Sequence, residues 1–149
     1  MEGATTEIKV SKINELNPTG LSDVSFYAET NPGEGYYKIK EIASGGELSR
    51  ILLSLRQILA TNDSISIFLF DEIDTGIGGE TALCIGKALE EVSKQSQVIA
   101  ITHLPQIATY AQKLVNVSKS TVNNRTTSSV DVIIGEDRSD IVVAMAPIY

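Results

Sequence analysis

Two short apolar segments, each followed at once by polar residues, constrain the fold of this chain more than any other feature. The first, Ile65 to Phe70, ends in Asp71-Glu72, and the second, Val98 to Ile101, ends in Thr102-His103. The residues between them, from about Glu80 to Lys94, have the spacing of an amphipathic helix. The inward side chains of that helix would be Ala82, Ile85, Leu89 and Val92. Strand, helix, strand is the order of an α/β unit with a parallel sheet, and the almost continuous apolar run from Ile65 to Phe70 predicts a first strand buried on both faces.

Residues on either side of this unit carry further patterns. Ile8 and Val10 alternate with polar residues, Val24 to Thr30 forms a second run, and turn residues 17–20 separate them. These features predict an antiparallel hairpin or meander that stops at the glycine- and proline-containing residues 31–35. Four more elements are expected: a helix from Pro105 through Ala111, strands at 113–118 and 126–134 around an Asn123-Asn124 turn, and a short helix at 137–146.

Another amphipathic helix is predicted to begin at Ser44, a residue type that caps helices. Its apolar residues follow the three- and four-residue spacing of one helix face, with Arg50, Arg56 and Gln57 on the other. The apolar set is Leu48, Ile51, Leu52, Leu55, Ile58 and Leu59. We expect this helix to end near residues 61–63.

Composition narrows the classes of function. Twelve Lys and Arg against nineteen Asp and Glu give a net charge of −7, which repels phosphate backbones unless a local basic patch is present. One cysteine and one histidine exclude an internal disulfide and a four-ligand structural zinc site. No apolar run approaches the roughly 20 residues of a membrane-spanning helix, and no signal-peptide core is present. We therefore expect a cytoplasmic protein without a membrane partner.

The carboxyl ends of the two predicted strands hold candidate catalytic residues. Ligands bind at this edge of open α/β sheets, so Asp71 and Glu72 are placed to divide two tasks: holding a hydrated Mg²⁺ and reaching a nucleophilic water. His103 follows the neighbouring strand and would bind a phosphate or position the water. Each residue also has a plainer interpretation, since Asp-Glu often begins a loop and a single histidine is usually an ordinary surface or core residue.

The start of the helix at Ser44 is a candidate anion site. The backbone N–H groups of the first turn and the positive end of the helix dipole attract phosphate, and Gly45 and Gly46 allow close approach. The alternative is a capped helix with a flexible entry. Three features follow one another in the sequence: glycines at a helix start, a strand that ends in Asp-Glu and a strand that ends in Thr-His. Together they indicate a phosphate-binding site more specifically than any one of them does.

These features in this order resemble the second half of an ATP-binding-cassette ATPase head. Ser44-Gly45-Gly46-Glu47 resembles the signature motif, residues 67–72 the Walker B strand, residues 74–79 the D-loop and His103 the switch histidine. Segments 42–50, 70–77 and 101–106 closely resemble the C-terminal head segment of the RecN family. Members of this family are SMC-like proteins of bacterial DNA double-strand-break repair. The resemblance covers residues 20–118 best. Gly78 replaces the aspartate usual in the D-loop of the wider superfamily, and residues 139–149 do not match the usual family ending.

The resemblance implies a role for each matching residue. Asp71 would coordinate Mg²⁺ through water, Glu72 would be the general base, and His103 would sense the γ-phosphate. The nucleotide held by an opposite head would be contacted by Ser44, Gly45, Gly46 and Glu47 of the signature and Asp74, Thr75 and Gly76 of the D-loop. ATP would hold two heads together as a homodimer, and hydrolysis would release them. Contact with DNA, at the nucleoid, would be made by the full-length protein.

A P-loop, the lysine-containing phosphate cradle of such ATPases, is missing from the sequence. The only Gly-Lys pair, Gly86-Lys87, lies in a predicted helix and is followed by Ala88, and no heptad run is long enough for a coiled coil. An N-terminal P-loop head segment would have to complete the pocket for ATP and Mg²⁺, so we expect the chain alone to be inactive.

The predicted fold class is α/β, the C-terminal lobe of an ABC/SMC-type ATPase head, with a mostly parallel sheet flanked by helices and antiparallel strands at the ends. We expect a single partial domain over 1–149, with a strand-rich lead-in at 1–40, a core at 41–119 and a terminal strand and helix at 120–149. The incomplete sheet would expose an edge and an apolar face, which predicts dimers or larger species.

Two alternatives remain open at this point. The chain would be a non-catalytic interaction domain if the helix at Gly46 and the half-sheet serve only dimerisation. It would instead be the head segment of another SMC-like ATPase if the similarity extends only to the superfamily. The sequences Thr75-Gly76-Ile77 and Leu104-Pro105-Gln106 favour the RecN family over that second alternative.

Overall fold

The computed structural model describes residues 5–18, 20–29, 33, 35–42, 44–59, 65–122 and 125–146. The chain divides into two compact units, Met1–Ser44 and Gly45–Tyr149. The first is a three-stranded antiparallel sheet, which confirms the predicted hairpin or meander. Its elements are β1 (Thr5–Asn17), β2 (Gly20–Glu29), β3 (Tyr37–Lys38) and the short helix α1 (Ile39–Ile42). Residue 19 of the predicted turn and residues 30–32 and 34, at the predicted stop, lie outside the described residues.

The second unit contains the predicted strand, helix and strand. Its first elements are α2 (Gly45–Leu59), β4 (Ile67–Phe70), α3 (Gly79–Ser93), β5 (Gln97–Ala100) and α4 (Pro105–Ala108). β4 and β5 pair in parallel, with Phe70 opposite Ala100, so the predicted parallel arrangement is confirmed. α4 ends before the expected Ala111, and the end predicted for α2, at residues 61–63, lies outside the described residues.

The last part of the second unit is an antiparallel hairpin followed by a helix. It contains β6 (Lys113–Val122), β7 (Arg125–Ile134), a 3₁₀ turn at Gly135–Asp137 and α5 (Arg138–Met145). These elements agree with the predicted strands and last helix, while Asn123 and Asn124 of the predicted turn lie outside the described residues. Within the described part of the chain, no helix is both long and apolar enough to cross a membrane.

The core of the second unit lies on one face of the β4–β5 sheet. Its buried members are Leu53, Phe68, Phe70, Ile73, Ala82, Ile85, Leu89, Val92 and Ile107. The inward face predicted for α3 is confirmed, because all four of its expected side chains belong to this cluster. Gly86 lies on the same helix where a Cβ atom would come within 2.4 Å of Cδ2 of Tyr110, so glycine permits close packing there.

The prediction that the first strand is buried on both faces is wrong for this chain. Phe68 and Phe70 point into the core, but Ile67 is 56% exposed and Leu69 is 63% exposed. Successive side chains of a strand point to opposite faces of the sheet, and the core cluster covers only one of them. The other face of β4 is therefore an apolar surface that the described residues leave open.

Helix α2 forms as predicted, but its apolar stripe is not its buried side. The buried positions are Gly46, Leu53 and Arg56. Arg56 is accommodated because its guanidinium lies 4.5 Å from the ring centre of Phe68 and donates a hydrogen bond to Oγ of Ser96 at 3.3 Å. The exposed apolar side chains of α2 are Leu48, Leu52, Leu55, Ile58 and Leu59.

Candidate functional site

The carboxyl ends of β4 and β5 lie side by side, as the sequence predicts. The N–H of Ile101 donates to the carbonyl of Phe70 at 3.0 Å, which continues the strand pairing by one step. Asp71 follows one strand directly, and Thr102 and His103 follow the other within a few residues. The sheet therefore brings the carboxylate loop and the histidine to one edge.

Asp74 links these two segments. The residue is only 5% exposed, and its Oδ2 accepts hydrogen bonds from Oγ1 of Thr102 at 2.6 Å and from the backbone N–H of His103 at 2.7 Å. The same oxygen lies 2.9 Å from ring atom Nδ1 of His103. Burial raises the pKa of Asp74, but the hydrogen bonds from Thr102 and His103 and the charge of the imidazole outweigh it, so the pKa lies below its ordinary value. Asp74 thus joins two segments of this chain as a carboxylate.

The loop after β4 turns sharply at Glu72. Its φ of 55° is in the left-handed region, the only such value at a non-glycine residue in the described part of the chain, and it costs about 1–2 kcal/mol. Two hydrogen bonds hold the turn: the N–H of Glu72 donates to Oδ1 of Asp71 at 2.9 Å, and the N–H of Thr75 donates to the carbonyl of Glu72 at 3.0 Å. Asp71, Glu72, Thr75 and Gly76 are all exposed. The strained turn presents both carboxylates to solvent at the sheet edge.

The first turns of α2 are fastened to this loop by side chains that bind its backbone. Oγ of Ser49 donates to the carbonyl of Asp71 at 2.8 Å. Nη1 of Arg50 donates to the carbonyls of Ile73 at 3.2 Å and Thr75 at 3.0 Å. Sequence reasoning missed both residues as parts of the site. A hydroxyl and a guanidinium within the signature run were the available signal, but their backbone acceptors have no signature in the sequence.

Gly46 has a packing reason to be glycine in this chain, and Gly45 lies beside the side chain of Glu72. A Cβ at position 45 would lie 2.5 Å from Oε2 of Glu72, and one at position 46 would lie 2.5 Å from the carbonyl oxygen of Glu72. Both distances are far below van der Waals contact. Glycine at position 46 therefore lets the helix start lie against the backbone of Glu72, whereas at position 45 only the movable carboxylate of Glu72 would have to shift. Ser44 and Glu47, the other two signature positions, flank the two glycines, with Ser44 exposed and Glu47 half-buried.

Replacing Gly46 by alanine is expected to destabilise the chain by about 1–3 kcal/mol, the usual cost of overpacking. The new methyl group meets the Glu72 carbonyl, and Thr75 and Arg50 at 3.1 Å block a sideways shift. Urea unfolding would measure the change. Gly78→Ala is the matched control, because no heavy atom lies within 4 Å of its Cβ position and its φ of −167° suits any residue. Equal stabilities of the two variants would contradict this packing.

Asp71 is the candidate metal ligand, and its chemistry suits Mg²⁺. That ion commonly binds through one or two carboxylates together with waters and substrate phosphates, not in a cage made entirely of protein. The described residues contain no cluster of three or more acidic, histidine or cysteine side chains that would form such a cage. An exposed carboxylate beside a strand end fits the first arrangement, in which phosphates supply further ligands.

Comparison with known proteins finds similar chains among DNA repair proteins. No protein-family model matches the chain. The chain is 42% identical over 128 residues to the DNA repair protein RecN of Treponema pallidum, covering 86% of this chain and 22% of that protein. It is 36% identical over 149 residues to RecN of Halalkalibacterium halodurans, covering 97% of this chain and 26% of that protein. This chain is similar to a segment of RecN. It spans about a quarter of the length of these curated relatives.

The fold of this chain resembles that of an SMC head domain. A crystal structure of the Smc head domain with a coiled coil and joint from Pyrococcus yayanosii matches it with a TM-score of 0.67 at 23% sequence identity. That match covers 96% of this chain and 26% of the other. The predicted fold class, α/β with a parallel sheet, flanking helices and antiparallel strands, is confirmed.

Proposed function

We propose that this chain is the C-terminal part of an SMC-like ATPase head that acts in DNA double-strand-break repair and recombination. The observation that carries the proposal is the meeting of three segments at one sheet edge: the start of α2, the Asp71-Glu72 loop and the segment of His103. The relatives carry the name of a DNA repair protein. Motifs that contact one another in the structure support the proposed function more strongly than motifs that are only similar in sequence.

The residues at this edge divide the work of hydrolysis. Glu72 is the general base that takes a proton from the attacking water, and Asp71 holds Mg²⁺, which supplies charge stabilisation to the phosphates when bound. His103 senses the γ-phosphate. The nucleotide of the opposite head is met by Ser44, Gly45, Gly46, Glu47, Thr75 and Gly76. Asp74, assigned to that set by the resemblance, serves it indirectly by holding the loop against His103.

The exposed apolar surfaces support the proposal that another segment completes this head. The outer face of β4, with Ile67 and Leu69, and the stripe of α2 are apolar and open to solvent. Burying apolar surface contributes about 25 cal/mol per Å², so such faces favour a partner. The partner is an N-terminal P-loop segment of the same longer protein, and it is required for ATP and Mg²⁺. The same proposal includes a second head as a dimerisation partner and contact with DNA through the full-length protein. It also includes a cytoplasmic location at the nucleoid.

Complementation tests this function. The 149-residue chain and an N-terminal head segment carrying the P-loop would be purified separately, mixed and assayed for Mg-ATP hydrolysis. We expect the mixture to hydrolyse ATP while the chain alone stays near background. The Glu72→Gln chain, mixed in the same way, should bind the N-terminal segment but not restore hydrolysis. Turnover by the chain alone at the rate of a complete head would contradict the proposal.

A second candidate function is a non-catalytic dimerisation domain, favoured by the five exposed apolar side chains of α2. In that case the chain would pair with itself through α2, and the P-loop segment would restore no hydrolysis. Light scattering across a concentration series, with and without the P-loop segment, separates the two. Dimers that dissociate when the P-loop segment binds would support the ATPase head. Dimers that persist in the presence of the P-loop segment would support the non-catalytic dimerisation domain.

A further inference from the structure

The buried carboxylate of Asp74 contacts His103 at two points. Oδ2 accepts the backbone N–H of His103 at 2.7 Å and lies 2.9 Å from ring atom Nδ1. Oγ1 of Thr102 donates to the same oxygen at 2.6 Å and itself accepts the N–H of Leu104 at 3.0 Å. The carboxylate is thus fixed from several sides, whereas the side chain of His103 is 77% exposed.

The distance between Nδ1 and Oδ2 decides where the imidazole keeps its proton. A neutral imidazole has one N–H nitrogen and one acceptor nitrogen. An unprotonated Nδ1 would place two electron-rich atoms 2.9 Å apart, whereas a proton on Nδ1 is attracted to the carboxylate. We infer that Asp74 is a positioning residue that holds neutral His103 in its Nδ1–H form and leaves Nε2 as the outward acceptor.

This arrangement determines what Nε2 contacts. In the neutral ring it accepts a hydrogen bond, as from a water, but a phosphate oxygen has no proton to offer it. Contact with a phosphate therefore requires a second proton on Nε2, and the resulting cation would lie 2.9 Å from the Asp74 carboxylate at Nδ1. Of the described residues, Asp74 alone stands within ion-pair distance of the ring. If the proposed function holds, His103 meets the nucleotide phosphate as an imidazolium paired with Asp74.

Nitrogen-15 NMR tests the inference directly on the 149-residue chain. His103 is the only histidine, so its two ring nitrogens are identified without ambiguity. At a pH where the ring is neutral, we expect the proton on Nδ1 in the wild type. Asp74→Asn keeps an acceptor oxygen and should retain this form, whereas Asp74→Ala should move most of the population to Nε2–H. Thr102→Val is the matched control, because it removes a bond to the same carboxylate without touching the ring.

A neutral wild-type ring protonated on Nε2 would overturn the inference, as would an Asp74→Ala chain with an unchanged tautomer. If Asp74→Ala does not fold, the wild type and Asp74→Asn still decide the question. No nucleotide is present in the experiment. The tautomer result and the hydrolysis result can therefore fail independently, which separates this inference from the proposed function.

Discussion

Replacing Glu72 by glutamine is expected to lower the ATP hydrolysis rate of the completed head by about 10²–10⁴-fold, the usual contribution of a general base. Glutamine has nearly the shape of glutamate but cannot take the proton of the attacking water. The backbone turn at position 72, with its φ of 55°, is held by bonds that glutamine leaves in place. Steady-state phosphate release from the mixture of the chain and the P-loop segment measures the effect.

The matched control for this variant is Glu80→Gln. Glu80 is an exposed carboxylate in the first turn of α3, so the substitution makes the same chemical change away from the sheet edge. We expect hydrolysis to stay at the wild-type rate. A Glu72→Gln head that hydrolyses ATP as fast as the Glu80→Gln head would remove Glu72 from the role of general base.

Replacing Phe70 by alanine is expected to destabilise the chain by about 3–5 kcal/mol, the cost of deleting a buried aromatic side chain. Phe70 is 1% exposed, packs on Phe68 with ring centres 6.3 Å apart, and immediately precedes Asp71. Its loss leaves a cavity at the point where the sheet supports the carboxylate loop. Urea unfolding of the 149-residue chain measures the change in the free energy of unfolding.

Leu69→Ala is the control, because Leu69 is the neighbouring residue on the opposite face of the same strand. At 63% exposed, it should change the stability of the chain alone by no more than about 0.5 kcal/mol. A loss of stability equal to that of Phe70→Ala would mean that both faces of β4 are covered in solution. The description of the outer face of β4 as open to solvent would then be wrong for the chain in solution.

The elements predicted best from the sequence are those whose apolar residues pack against other elements of the same chain. The inward residues of α3 were predicted because their spacing, from Ala82 to Val92, matches one helix face and the sheet that it covers lies on both sides of it in sequence. The parallel pairing of β4 and β5 follows from the same unit, since a helix connects two strands most simply in this way. Local pattern and tertiary contact agree in these places.

The wrong predictions concern which apolar faces of helices and strands are buried, because the local sequence pattern does not determine what packs against them. Hydrophobic periodicity shows that Leu52 and Leu55 share a face of α2, but it does not show which face the available core contacts. Arg56 is buried against Phe68 because a guanidinium stacks well on an aromatic ring, an interaction that periodicity cannot reveal. An almost continuous apolar strand likewise indicates that both of its faces are apolar, but it does not show that both faces are buried.

The meeting of the candidate residues at one sheet edge was predictable from the sequence, but the contacts among them were not. Strand ends located Asp71, Glu72 and His103 at one edge, because the carboxyl ends of adjacent parallel strands meet there. The link from Asp74 to His103 and the donation from Arg50 to loop carbonyls depend on how residues distant in sequence meet. Such contacts follow from the fold and have no signature in the spacing of residues.

The most direct test compares the hydrolysis rate of an equimolar mixture of this chain and the P-loop segment with the sum of the rates of the two alone. The proposed half-head predicts a mixture much faster than that sum, because the base and the phosphate cradle lie on different segments. It also predicts that the excess rate saturates as the P-loop segment is titrated against a fixed amount of chain. A stable complex of the two segments whose rate equals the sum would contradict the proposal that this chain supplies the catalytic edge of an ATPase head.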